Sequence, residues 1–333
     1  MKAAVLNGYD KNGTDLVVKD VDVPACGPAD VLVKVMAAGV NPLDNMIIRG
    51  EVKLIVGYDM PLVMGNELSG VVERVGDAVI GFAPGDRVYA RLPLGRIGAF
   101  AEYVAIDHRA IAKVPEYLSF AEAAAVPLTA LTAMQALDLL DASEGDTLFI
   151  SGGTGSFGAM AIPIAAARGL RVVTNGSAAN EERVRALGAS DFIDYRKQDY
   201  ADVLHDVDCV IDTLGDKELP REFGILKQGG ALVSLRGLPN GEFAQRAGMG
   251  FVKRLMFSAA GSKYDRLAAK KGQRYRFVFV HSDGAQLAVA SGILESANIE
   301  PSVDGVFALG DVNAALAKVV AGGSKGKTIL TLE

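Results

Sequence analysis

Tryptophan is absent from the 333 residues, histidine occurs three times and cysteine twice. Cys26 and Cys209 lie far apart and in different predicted domains. Two thiols are too few for a disulfide framework and lack the CxxC spacing of a zinc lobe. His108, His205 and His281 fall in unrelated segments, with no Ser/His/Asp ordering that suggests hydrolysis. No apolar run reaches membrane-spanning length free of glycine and charge, and Met1 to Gly8 lacks the apolar stretch of a signal peptide. A cytoplasmic chain with no membrane association is therefore expected. A basic surplus is missing as well: the net charge of −6 argues against a nucleic-acid partner. One segment dissents, because Arg246, Lys253, Arg254, Lys263, Arg266, Lys270, Lys271, Arg274 and Arg276 face only Glu242 and Asp265 between residues 240 and 276. It reads as a solvated helical insertion, an anion-facing lid over a cofactor or acidic substrate, or a dimer surface.

What is present suits two ordinary domains of a soluble α/β protein: 50% hydrophobic residues, 22% charged residues and 38 glycines. The first third carries short β-branched runs at residues 31–35, 70–75 and 87–90, separated by turns such as Pro84-Gly85-Asp86. From Ala121 an Ala- and Leu-rich helical pattern begins, with Leu128, Leu131, Gln135 and Leu139 spaced for one helix, and a boundary near residue 122 follows. Beyond it, apolar strands at 147–151, 171–175, 191–195, 208–213 and 231–235 alternate with helices, the pattern of a doubly wound parallel sheet. Phe277 to Val280 reads as a sixth strand, either buried on both faces or paired with a second subunit at the sheet edge. The tail from about Asn298 returns to strand, helix and strand and is expected to rejoin the first domain. Domains are thus set at 1–122 with 298–333, and at 123–297.

The strand at 147–151 runs directly into Gly152-Gly153-Thr154-Gly155-Ser156-Phe157-Gly158 and then a helix. Glycine suits such a turn because a Cβ would block both the tight backbone and its approach to a pyrophosphate, whose charge rests on helix N-terminal amides. The motif alone is weak, but its strand–helix–strand context points to a dinucleotide. Pro163 falls inside the predicted helix, where a kink is expected. NAD-binding proteins usually end the second strand in Asp or Glu, about 20 residues past the glycines, to hold the ribose 2′-hydroxyl. This chain has Thr174-Asn175-Gly176-Ser177 there. With no carboxylate to repel it, a 2′-phosphate is admissible, and Ser177, Asn180, Arg183 and Tyr195 are candidate donors to it. The expected cofactor is NADPH.

Residues 39–44, Gly-Val-Asn-Pro-Leu-Asp, and 61–76, Pro-Leu-Val-Met-Gly-Asn-Glu-Leu-Ser-Gly-Val-Val-Glu-Arg-Val-Gly, resemble the medium-chain dehydrogenase/reductase superfamily, within it the zinc-free quinone oxidoreductase branch. Gly85-Asp86-Arg87-Val88, the stretch 127–133, the glycine motif, Ile193-Asp194-Tyr195-Arg196 and Gly326-Lys327-Thr328 continue the similarity in the family's order. The resemblance implies a β-rich GroES-like catalytic domain from the N-terminal part and the tail, a Rossmann domain between them, an active-site cleft at their junction, and homodimers joined through the last Rossmann strand. It places Asn41 and Asn66 where zinc-dependent relatives carry Cys and His, beside the retained Glu67. Asn supplies neither thiolate nor imidazole, so a metal-free site is expected. Phe157, Asn180 and Pro163 depart from the family's usual residues.

Hydride is a nucleophile, so its acceptor must be an electron-poor carbon whose developing oxyanion is stabilised, here by hydrogen-bond donors. Asn41 is the candidate to orient substrate or carboxamide, with Tyr58 as a pocket donor; Asn41 could equally start a turn and Tyr58 simply pack. The expected cofactor set is Thr132, on resemblance alone, with Gly153, Thr154, Gly155, Ser156, Phe157, Gly158, Ser177, Asn180, Tyr195, Leu235, Phe279 and Val280. The expected activity is NADPH-dependent, zinc-independent reduction of a quinone or related electron-poor carbonyl as a small-molecule substrate. The alternatives are an enone or enoyl-thioester reductase and a non-catalytic NADPH-binding protein.

Overall fold

A computed structural model of the chain describes residues 1–323 and 325–332. It divides into two compact units, Met1–Leu131 with His281–Glu333, and Thr132–Val280.

The first unit is built on two sheets. In the smaller, Lys2–Leu6 lies between Val17–Asp20 and Leu62–Val63. The larger runs in the order Val303–Ala308, Lys327–Thr331, Asp30–Val40, Glu67–Val75, Arg87–Arg91, Ile111–Lys113, with Tyr103–Asp107 also paired to Asp30–Val40. The eleven-residue strand Asp30–Val40 is its spine and is buried along nearly its whole length. One of its sides pairs with Glu67–Val75, while the other is shared by Tyr103–Asp107 and the tail strand Lys327–Thr331. The tail thus rejoins the N-terminal part, with Leu330 opposite Ala38 and Thr328 opposite Val40.

The second unit is a six-stranded, all-parallel Rossmann-type sheet. Its order is Asp191–Asp194, Arg171–Gly176, Thr147–Ile150, Val207–Asp212, Leu226–Ser234, Arg274–Phe277. Three of these strands are buried along nearly their whole length, as parallel strands covered on both faces are. Phe149, Val210 and Leu232 sit at the centre of its core with Tyr264 and Tyr275. The helix Ser156–Ala167 continues through Pro163, which is buried within it.

Two sequence expectations change. The sixth strand is Arg274–Phe277, and Val278 to Val280 follow it as an irregular segment. The alternation of exposed Arg274, buried Tyr275, partly buried Arg276 and buried Phe277 is the period of a half-buried edge strand, and the apolar run after it masked that signal. The domain limits also move, from 122 to 131 and from 297 to 280. The first falls inside the helix Pro127–Leu140, where composition does not change. The second moves because the helix Gly284–Ser296 packs on the β-rich unit: a Cβ at Gly284 would strike the carbonyl oxygens of Ile111 and Arg109. Tyr89 Oη also lies 2.5 Å from Ser291 Oγ.

Candidate active site and cofactor cradle

All six parallel strands end at one edge, and most of the expected cofactor residues leave from it. In register, Ile150 neighbours Thr174 and Ile211, Gly176 neighbours Asp194, and Ser234 neighbours both Asp212 and Phe277. Gly153 to Gly158, Ser177, Tyr195, Leu235, Phe279 and Val280 all follow within a few residues of those ends. The carboxyl edge of such a sheet is where ligands bind. Thr132 is different: it is buried on the helix Pro127–Leu140, well before the first of these strands.

The loop after the first of these strands is held by the second. Gly153 N–H donates to Thr174 Oγ1 at 3.0 Å, that hydroxyl donates to Ile150 O at 2.8 Å, and Gly152 N–H donates to Asn175 Oδ1 at 2.7 Å. A Cβ on Gly153 would strike the Thr174 hydroxyl, and one on Gly158 would strike Gly153's own carbonyl. Gly155 is another matter. Its φ of −85° suits any residue, and a Cβ there would meet nothing within 4 Å. Neither backbone strain nor packing calls for glycine at this helix N-cap, so the open space is free for a ligand, as a pyrophosphate on the helix amides would need. Gly155→Ala is accordingly expected to leave stability within about 1 kcal/mol while weakening NAD(P)H binding, whereas Gly158→Ala disturbs both. Parallel NADPH and NADH titrations and denaturant curves check this.

The second strand ends at Gly176, whose missing side chain makes room for the Thr154 methyl. Asn180 Nδ2 donates to Ser177 Oγ at 3.1 Å, and Arg183 Nη2 donates to the Thr154 carbonyl, which sets a guanidinium directly against the loop. Tyr195 is exposed, and its N–H donates to Gly176 O at 3.2 Å. The sequence had offered Arg183 only as one donor among several.

The β-rich unit holds a second constellation, built on strand register. Gly39, Glu67 and Arg91 are directly opposite one another on three neighbouring strands and so share a face. Gly39 has no side chain to obstruct the Glu67 carboxylate, which folds over it. Glu67 Oε1 accepts from Asn41 Nδ2 at 2.8 Å and lies 2.6 Å from Lys327 Nζ, while Oε2 accepts from Leu128 N–H at 2.7 Å. Lys327 Nζ also donates to Asn41 Oδ1 at 2.6 Å. Asn41 Nδ2 spends its second hydrogen on Gly39 O, so both ends of the expected substrate-orienting amide are engaged within the protein. Asp44, fully buried in the helix Pro42–Ile48, accepts from Asn41 N–H and from Asn66 Nδ2, each at 2.7 Å. Burial raises its carboxyl to about 7, against the pull of those two bonds.

Next to this network, among the described residues, two buried side chains keep donors without a partner, and Asn66 Oδ1 is left without one as well. Arg91 is fully buried; its Nη1 donates to the Leu92 carbonyl, while Nε and Nη2 are unbonded among the described residues. The Tyr58 hydroxyl is also buried without a partner, its backbone pinned by Tyr9, whose hydroxyl accepts from Tyr58 N–H and donates to Tyr58 O. Arg91 and Tyr58 lie near enough to shift one another's protonation. Burial lowers Arg91 to about 10 and raises Tyr58 to about 12, so at neutral pH one stays cationic and the other stays a phenol. Arg91, Asp44 and Lys327 were not singled out in the sequence as site residues. The available signal was a charged residue closing the apolar strand Arg87–Arg91.

Residues 27–116 match the model of the alcohol dehydrogenase GroES-like domain, and residues 187–330 match that of the zinc-binding dehydrogenases. The whole chain is 30% identical to a mitochondrial NAD(P)H oxidoreductase of Danio rerio, over 91% of that protein. The chain belongs to the quinone oxidoreductase-like medium-chain dehydrogenases/reductases. A member of this family, it is an NAD(P)H-dependent oxidoreductase. It is also 30% identical, over 99% of its length and 79% of the relative's, to the 2-methylene-furan-3-one reductase of Solanum lycopersicum. The quinone oxidoreductase of Thermus thermophilus, solved also in complex with NADPH, superposes with a TM-score of 0.75 at 27% identity, with all of both chains covered. Zinc, named in one of the matched family models, does not suit the donors of this medium-chain reductase. Asn41 and Asn66 are poor ligands, and the Lys327 ammonium already lies within 2.6 Å of both Glu67 and Asn41.

Proposed function

We propose that this reductase transfers hydride from NADPH to a quinone, and that Arg91 and Tyr58 stabilise the acceptor's oxygen. The observation that carries this reading is the pair of buried donors with no acceptor among the described residues. A buried donor left unpaired costs about 1–3 kcal/mol, more when charged, and a carbonyl oxygen would satisfy both side chains. Bound NADPH would supply the hydride. Addition of hydride to a ring carbon of a quinone places negative charge on a ring oxygen; a guanidinium and a phenol near that oxygen gain strength as the charge develops, a solvent proton neutralises it, and tautomerisation, with loss of the ring C–H proton and protonation of the second oxygen, gives the hydroquinone. Asn41, Glu67 and Lys327 act at one remove, as a buried frame that fixes the neighbouring strands.

NADPH over NADH is supported by the second strand's end at Gly176-Ser177 and by Arg183 against the loop, and by the NADPH complex of the Thermus enzyme. The Solanum relative favours a second acceptor class, conjugated enones, in which the same donors would hold the enolate oxygen. The parallel sheet ends at Arg274–Phe277, and that edge supports a homodimer. The test is initial-rate oxidation of NADPH and NADH with p-benzoquinone, a naphthoquinone, a simple enone and an enoyl-CoA ester. Quinone turnover at least tenfold faster with NADPH is the expected result. Turnover with the enone alone would transfer the proposal to the second class, and tight NADPH binding without turnover of any acceptor would overturn it.

A further inference from the structure

The basic segment is absorbed neither by the cradle nor by the donor pair. Its main element is the helix Phe251–Ala269, anchored by Phe257, Gly261, Tyr264 and Ala268. Those four follow the 4-3-4 spacing of one helical stripe. Tyr264 stacks on Tyr275 with ring centroids 5.0 Å apart, Phe257 meets Phe243 edge-on, and Gly261 lies against Asn240, where a Cβ would not fit. The first turn and a half contributes nothing to that packing. Phe251, Val252, Leu255 and Met256 are 79%, 70%, 63% and 48% exposed. At about 3.6 residues per turn these four project from the side of the helix opposite the buried stripe. Farther along the same outward side come Arg266, Lys270 and Lys263, the last paired with Asp216 at 2.7 Å, while Lys253 and Arg254, exposed and between the two apolar pairs in sequence, emerge on the sides of the helix nearer the buried stripe. Nine Lys or Arg against two acids are thus gathered in residues 240–276 of a chain whose net charge is −6.

We propose that this helix face docks on an anionic lipid bilayer, with Phe251, Val252, Leu255 and Met256 entering the headgroup boundary and the basic side chains meeting lipid phosphates. Large apolar residues on one face with Lys and Arg around them are the requirements for a helix that lies in a membrane interface without spanning it. The expectation of no membrane association rested on the lack of a spanning run, which such a helix does not need. A second copy is the competing occupant of this face, told apart by the oligomeric state of the apolar variant. A small anionic ligand fits less well, since the four apolar side chains stand out from a helix and enclose nothing. The purpose of the docking, access to acceptors dissolved in lipid, rests on the quinone reading; the docking itself does not.

The test is co-sedimentation of the full chain with vesicles of phosphatidylcholine alone and of phosphatidylcholine with an equal part of phosphatidylglycerol. Binding to the anionic vesicles only, weakened by salt, is expected. The Phe251→Ser/Leu255→Ser and Lys253→Glu/Arg254→Glu variants should partition at least about tenfold more weakly, with NADPH titrations showing that each variant is folded. A wild-type chain that stays in the supernatant with both vesicles overturns the docking. So does a change from dimer to monomer in the apolar variant whose vesicle binding is intact, which would assign the face to a second copy. Turnover of a water-soluble quinone is measured separately, so failure of the quinone reading and failure of docking are told apart.

Discussion

Lys327→Met is expected to destabilise the chain by about 3–5 kcal/mol, the range found when one partner of a buried ion pair is removed. Lys327 and Glu67 are both almost wholly buried, 2.6 Å apart, and the ammonium is also bonded to Asn41. Without it, the Glu67 carboxylate keeps the Asn41 and Leu128 N–H donors but loses its counter-charge. Because Lys327 lies on the tail strand and Glu67 two strands away, the loss also loosens the tail from the spine of the sheet. Urea denaturation checks it, as a shift of midpoint at constant slope. The Glu67→Gln/Lys327→Met double variant should recover much of the loss, because it removes the uncompensated charge along with its partner. A single Lys327→Met variant as stable as the parent would show that the pair is not coupled to folding.

Arg91→Met is expected to have the opposite profile. Loss of a charge-stabilising donor aimed at the reacting oxygen costs about 100- to 1,000-fold in kcat. Stability should fall less than in Lys327→Met, because Arg91 is bonded to no carboxylate and leaves two unpartnered nitrogens, although its charge offsets those of Glu67 and Asp44. NAD(P)H binding, proposed for the glycine loop, should not change. Arg91→Lys restores the charge without the planar fork and should recover only part of the rate. The informative comparison is between initial rates and denaturation midpoints for the same preparations. An Arg91→Met protein that turns over at the parental rate per folded molecule would remove Arg91 from the chemistry.

The glycine-loop cradle and the buried donor cluster differ in how far the sequence discloses them. The cradle is local: strand, glycine turn and helix are contiguous from Thr147 to Ala167, and the needs of Gly153 and Gly158 for close backbone approach are written as residue type at fixed spacing. The carboxylate-free strand end at Gly176-Ser177 is local as well. The donor cluster is not. Asn41 and Lys327 meet across 286 residues, and Arg91 reaches Glu67 only through strand register. The sequence around Asn41 offers a turn before Pro42, where the structure has the N-cap of the helix Pro42–Ile48, and nothing nearby shows that its amide is used up by Glu67, Lys327 and Gly39. The sixth strand was misplaced for a related reason. An edge strand with arginines at alternate positions carries a weaker apolar signal than the buried irregular segment after it, so hydrophobicity pointed three residues too far along the chain.

Hydride transfer from NADPH to a quinone with the help of the protein's own donors, as proposed above, requires no metal. The deciding measurement is the rate of NADPH oxidation with p-benzoquinone after exhaustive dialysis against EDTA. The expected result is the full untreated rate, with no gain on adding zinc. Loss of turnover that zinc restores would contradict it.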